Sequence, residues 1–311
     1  MNEYRLVPEL KKSLKALVGC GIILVALDQG FGLLLQKIYF SQKSGEAFRI
    51  TQSLEVVQPE ILIVGSSCAA LTLDPSLMSN SFCKSVYNAG KTNTLLPYHL
   101  AVINSAFRRY TPKWVVLNID VEPFLYEEEP RVFHLIPYYG SNPEVRAVID
   151  LHDPFARLKQ KSKLYSLNNQ FPMAFQYFQA SKSLEDSTGF IPLDDTLSAP
   201  MLVYTGKSKV DPRKIEMLHQ IIRQCKTKNT RLILTSTPCF AKFPFGNPQH
   251  DLARKIASSE NVPFFDYLTD TAFVSHPEMF ADPPHLNSKG AAVLTRKFIQ
   301  DLSAASIIGR D

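Results

Sequence analysis

Glu60-Ile-Leu-Ile-Val-Gly-Ser-Ser-Cys-Ala-Ala70 is a run of four apolar residues that stops at a glycine and two serines. A short, wholly apolar run bounded by small residues suits a strand buried on both faces of a parallel sheet. Open α/β sheets place their sites at the carboxyl ends of such strands. A serine at that turn either caps the next helix or acts as a nucleophile, and the second role needs a base and an orienting carboxylate from elsewhere. Asp282-Pro-Pro-His285, near the other end of the chain, supplies both.

Serine is a poor nucleophile at neutral pH, so a base has to reach it, and the base needs its other nitrogen fixed. Of the seven histidines only His285 has a carboxylate three residues before it in a rigid turn. Pro283 and Pro284 hold φ near −65° and oppose helix, which keeps Asp282 and His285 in one geometry. The plainer alternative for His285 is a solvated residue at the start of a helix. His99, His134, His152, His219, His250 and His276 show no such companion in the sequence. There is no His-Glu-x-x-His spacing and no Gly-rich phosphate loop, so neither a metal nor a cofactor is implied.

Gly65-Ser66-Ser67, Tyr87-Asn-Ala-Gly90 and Asp282-Pro-Pro-His-Leu-Asn287 together resemble the SGNH (GDSL-type) hydrolases, over roughly Pro59 to Leu302. The resemblance places Ser67 on the nucleophile, with Ser66 where the family usually has aspartate, and Asp282 and His285 on the rest of the triad. It also implies an oxyanion hole, and here the chain departs from the family. The backbone N–H of Ser67 is one donor. The family's glycine donor aligns with Asn93 and not Gly90, and its asparagine donor aligns with Glu122, which cannot donate when ionised. Asn93 is expected to supply a backbone N–H and a side-chain amide in their place. Asn118 and Asp120 share a strand face but read as turn-forming residues at a strand end, outside the site.

Composition narrows the function classes. The 311 residues, 45% hydrophobic, can bury one large core or two modest ones. With 34 basic and 29 acidic residues the net charge is only +5. No dense basic block lies beyond the amino terminus, which argues against a nucleic-acid partner. Cysteines at 20, 68, 83, 225 and 239 follow neither zinc spacing nor a disulfide framework.

Lys11, Lys12 and Lys15 precede the apolar stretch Ala16 to Leu35. Its 20 residues span about 30 Å as a helix, the thickness of a hydrocarbon core. Residues 16–36 are therefore expected to be a transmembrane anchor behind a cytoplasmic 1–15. Asp28 and Gln29 interrupt the stretch and are expected near the outer interface or facing a partner helix. No small-x-small pair comes after it to mark a cleaved leader, and the lysines put everything after Tyr39 outside the cytoplasm. This predicts a single-pass inner-membrane protein whose expected partners are the bilayer and a membrane protein facing the anchor.

Residues 37–58 read as a tether with a short helix. From 59 to 311 the pattern is a doubly wound α/β domain. Strands are expected at Ile61–Val64, Val86–Asn88, Trp114–Leu117, Leu232–Leu234 and Pro263–Phe265, with amphipathic helices between them. Five such strands suit a flavodoxin-like three-layer sandwich, as the resemblance also implies. Residues 124–209 break the rhythm. They are rich in aromatics, from Tyr126 and Phe133 to Phe171, Phe175, Tyr177 and Phe178, with a Lys-rich run from Lys159 to Lys163. They are either a lid or a helical elaboration with its own small core, in both cases over the carboxyl edge of the sheet.

Two function classes fit these residues. The first is an extracytoplasmic serine esterase or O-acyltransferase acting on acyl esters such as those of a cell-envelope carbohydrate. The second is a non-catalytic assembly or carrier protein that keeps the fold without the full oxyanion hole.

Overall fold

A computed structural model describes residues 3–128, 131–167 and 187–309. They fall into two compact units. One contains the described residues up to Lys43 together with those from Leu135 to Leu167; the other runs from Ser44 to His134 and, among the described residues, resumes at Ser187.

The second unit holds a five-stranded sheet. Its strands are β1 (Ile61–Val64), β2 (Val86–Asn88), β3 (Trp114–Asn118), β4 (Arg231–Ser236) and β5 (Phe264–Asp266). They run parallel in the order β2-β1-β3-β4-β5. This is the flavodoxin-like order, in which the chain reverses its direction of winding beside β1. The crevice between the carboxyl ends of β1 and β3 is thus the topological switch point, and Gly65-Ser66-Ser67 opens directly into it.

All four residues of β1 are buried. Covering each of these side chains contributes about 1.5–3 kcal/mol before conformational entropy is counted. On one face Ile61, Ile63, Val116 and Ile233 form a single apolar cluster with Phe82, Leu294, Phe298 and Leu302. The last three come from helix Ser288–Ala304, which Asn287 caps by accepting from the N–H of Gly290. On the other face, helices Leu96–Arg109 and Pro212–Thr227 pack together. Gly65 lets the turn after β1 close tightly against β3: a Cβ there would meet Ala69 Cβ at 2.7 Å and Asn118 Cβ at 2.8 Å.

Residues 45–56, within the stretch read as a tether, are helical throughout. Ala47, Ile50 and Leu54 are buried, so this stretch belongs to the body of the second unit. The insertion is divided. Residues up to His134 and from Ser187 stay with the sheet, whereas Leu135–Leu167 pack in the first unit. Phe171, Phe175, Tyr177 and Phe178 lie outside the described residues.

The first unit is organised on α1 (Glu3–Phe40), 38 residues long. Its Leu10–Phe40 portion is long and apolar enough to cross a membrane. Its described residues include helices Pro143–His152 and Ala156–Lys159, the former capped by Asn142 and burying Val145, Val148 and Ile149. Tyr39 and Tyr138, both fully buried, meet edge-on in its core with ring centroids 6.0 Å apart.

Candidate active site

After β1 the chain turns into the short helix Ser67–Ala70. Ser66 is its N-cap and accepts from the N–H of Cys68. Ser67 is therefore the first helical residue, with its hydroxyl at the rim of the crevice. The loop after β2 is fixed from below by Asn88, whose amide donates to Ala69 O and Leu73 O at 2.8 Å each while its carbonyl accepts from Gly90. Three residues on, Asn93 takes a left-handed conformation, φ +58°, which turns the loop into the crevice.

The base arrives on a tight hairpin. Phe280–Asp282 and His285–Leu286 pair antiparallel, with Asp282 opposite His285 and the two prolines as the turn. Pro283 O accepts from Phe240 N at 2.7 Å, and Asn287 donates to Glu278 O at 2.8 Å, so both legs are clamped. Gly290, one turn into the last helix, has no room for a Cβ, which would lie 2.3 Å from Met279 O.

The two ends of the chain meet here. His285 Nε2 lies 2.8 Å from Ser67 Oγ, although the residues are 218 positions apart. His285 Nδ1 lies 2.8 and 2.9 Å from the two oxygens of Asp282, which also accepts from the backbone N–H of His285 at 3.1 Å. With Asp282 ionised, Nδ1 is the protonated nitrogen and Nε2 is left free to accept from the serine hydroxyl.

The crevice itself encloses about 240 Å³, and Ser67, Asn93, Asp120, Glu122, Arg131 and His285 are among the residues lining it. Ser67 and Asn93, the two expected oxyanion donors, thus face one cavity. Glu122 also faces it, as a carboxylate whose oxygen accepts from the Ser208 hydroxyl, and so offers no donor. Arg131 is held by Glu127 at 2.6 Å.

Asp120 departs from the sequence reading. The structure brings it into the crevice, where its carboxylate accepts from the Ser66 hydroxyl. The spacing from Asn118 had marked it, but its partner at Ser66, 54 residues earlier, is visible only in three dimensions. Burial pushes its carboxyl up to about 6, against the opposing pull of the Ser66 hydroxyl and the positive charge of Arg131. Between about pH 4 and 6 the folded chain therefore binds a proton that the unfolded chain does not, and stability falls as pH rises through that window. Asp120→Asn is expected to raise unfolding stability above pH 6 by up to about 3 kcal/mol and to leave it unchanged below pH 4. Urea midpoints at pH 8 and pH 4 check this; an equal shift at both would show that the charge is not responsible.

The remaining histidines are not as solitary as the sequence suggested. His250 lies between Asp266, at 3.1 Å, and the backbone oxygen of Asp120, and it is fully buried. His134 faces Glu46, His219 faces Glu260 and His276 faces Glu278. Asp266 also accepts from the Ser236 hydroxyl, but among the described residues no serine hydroxyl meets the ring of these histidines, and none of them lines the crevice. Burial pushes His99 down to about 3, which keeps it neutral. The Cys68 thiol, beside Ser67, is raised far above its ordinary value by burial and by the charge of Asp120, so it stays protonated and is no rival nucleophile. Among the described residues no group of His, Cys, Asp and Glu is arranged to hold a metal ion.

No family model and no curated protein matches the sequence. Among solved structures, a lipase/acylhydrolase from Enterococcus faecalis is 12% identical, with 79% of this chain and 96% of that one covered at a TM-score of 0.40. A GDSL-like lipase from Bacteroides thetaiotaomicron is also 12% identical, with 83% and 99% covered at 0.37. The chemistry of the crevice stands on the distances given above.

Proposed function

We propose that this chain is a serine-dependent carboxylic ester hydrolase or O-acyltransferase of the SGNH type. In this reading α1 anchors it in a membrane, and it acts outside the cytoplasm on acyl esters of a cell-envelope carbohydrate. The observation that carries the reading is the continuous set of contacts from Ser67 Oγ through His285 to Asp282 at the switch point of the sheet.

Ser67 Oγ attacks the ester carbonyl as its proton passes to His285 Nε2. Asp282 holds the Nδ1–H and stabilises the imidazolium that results. The alkoxide of the tetrahedral intermediate accepts from the N–H of Ser67 and from Asn93. His285 then returns the proton to the departing alcohol, leaving the acyl group on Ser67. Water or a second hydroxyl, deprotonated by the same imidazole, releases it. A crevice of this size, walled by Asn93, Asp120, Glu122 and Arg131, suits a short acyl group on a hydroxyl-rich substrate better than a long aliphatic chain.

Lys11, Lys12 and Lys15 support an amino terminus in the cytoplasm. Three hydrogen bonds from Ser162, Lys163 and Leu164 to Asp28 tie α1 to the folded chain and favour a retained anchor over a cleaved leader. Glu122 favours the rival reading, a non-catalytic assembly or carrier protein, because a carboxylate stands where a third oxyanion donor would be needed.

The test uses the full chain in lipid nanodiscs. A fluorophosphonate is expected to label one residue, Ser67, located by peptide mass spectrometry. Asn93→Ala is expected to keep partial labelling but to lower turnover of an activated acetyl ester by about 10²–10³, because its amide acts on charge that develops only in the transition state. A folded wild-type chain whose Ser67 stays unlabelled would favour the carrier reading.

A further inference from the structure

Within the first unit the insertion docks on α1 through a polar notch. Asp28 accepts from the Ser162 hydroxyl at 2.6 Å and from the N–H groups of Lys163 and Leu164 at 3.0 and 3.2 Å. Gln29 donates to Lys161 O and Gln36 to Ser166 Oγ, both at 2.9 Å. Gly32 lets the backbones touch, since a Cβ there would lie 2.2 Å from Lys163 Cβ. The carboxylate in the middle of the apolar stretch is thus satisfied by its own chain.

The level of the notch is decisive. Phe31, Leu33 and Leu34 lie beyond Asp28 toward Phe40, and each is more than half exposed. If α1 crosses a membrane, lipid has to extend past the notch to cover them, and Asp28 is about 9 Å below Leu34 along the helix axis. Residues 161–164 then sit below the surface of the hydrocarbon. Leu151, Phe155 and Leu158, from the segment that leads into them, are likewise more than half exposed.

Two cavities flank the notch. On the inner side Leu158 shares a recess of about 470 Å³ with Leu24 and Val25. On the side toward Phe40, Gln36, Arg146, Arg157, Lys161 and Lys163 line a second of about 470 Å³. Among the described residues none of these four cations is engaged in an ion pair. Lys161 borders both cavities. Leu24 and Gln36 are about 18 Å apart along α1, close to the roughly 15 Å depth of one hydrocarbon leaflet.

We infer that residues 143–166 dip into the leaflet nearer Phe40 and hold a phospholipid against α1. Its acyl chain occupies the recess at Leu24, Val25 and Leu158, and its phosphate lies among Arg146, Arg157, Lys161 and Lys163. Long basic side chains at this level keep their stems in the apolar layer and their charges at the headgroups. The inference rests on the anchor reading and deepens it: α1 then fixes the chain at a set depth as well as tethering it.

The test uses the full chain in nanodiscs whose phospholipids carry bromine on their acyl chains, a contact quencher of tryptophan. The wild type, with its single tryptophan Trp114, gives the baseline. Phe155→Trp and Leu158→Trp are expected to add emission that brominated lipid strongly quenches, and Leu24→Trp reports on the anchor separately. The double variant Arg157→Glu/Lys161→Glu is expected to lose most of the phospholipid phosphorus that stays with the wild type through detergent purification. Quenching at Leu24→Trp with none at Phe155→Trp and Leu158→Trp would overturn the inference and leave the anchor standing. No quenching at any of the three would overturn both. Unchanged phosphorus in the charge-reversed chain would overturn the phosphate site.

Discussion

Ser67→Ala and His285→Ala are each expected to lower kcat for an activated acetyl ester by about 10⁴–10⁶, and the double variant to fall no further than the worse single one. The two groups act in one step: with the serine gone the imidazole has no proton to take, and with the imidazole gone the hydroxyl stays a weak nucleophile. Both side chains border the crevice and are only partly buried, so thermal stability should change little. Stopped-flow hydrolysis beside a thermal melt makes the check. Additive losses, or a Ser67→Ala chain as fast as the wild type, would remove the relay as the source of activity.

Asp282→Asn should cost about 10⁴ in kcat while leaving substrate affinity nearly intact. Both Asp282 oxygens face His285 Nδ1, and one also accepts from the backbone N–H of His285. An asparagine can keep the backbone bond with its carbonyl, so the hairpin survives. Its amide, turned toward Nδ1, then favours the tautomer that carries the proton on Nε2. That places N–H against the Ser67 hydroxyl, where an acceptor is required. A loss of less than about tenfold would mean that the Pro283-Pro284 turn alone orients the ring and that the charge of Asp282 contributes little.

Legible in the sequence was whatever depends on near neighbours. The five sheet strands lie within two residues of the positions read from their apolar runs. The Asp282–His285 contact was readable because three residues and two prolines determine it. Ser67 meeting His285 was an inference from chemistry and resemblance, since no local pattern encodes a contact across 218 positions. Asp120 was left outside the site for the same reason: its contact in the crevice is with Ser66, on a different strand end. Asp28 and Gln29 were expected near the outer interface or facing a partner helix; their partners within the chain are residues 161–164, which carry no signature of helix docking. The insertion was read as one piece because composition cannot show which half of a segment stays with the sheet and which with α1.

The order of the chain also sets a schedule. The nucleophile is made early, on the first strand of the sheet, whereas its base and the helix that covers Ile61 and Ile63 are made last. Until residues 282–302 have emerged, Ser67 has no base and one face of the sheet lacks Leu294, Phe298 and Leu302. On the proposed esterase reading, a nascent chain still being synthesised is inert, and chemistry begins only when the carboxyl-terminal helix closes over the sheet. On that reading, a chain bound for a membrane is kept silent during delivery by nothing more than the sequence in which its parts arrive.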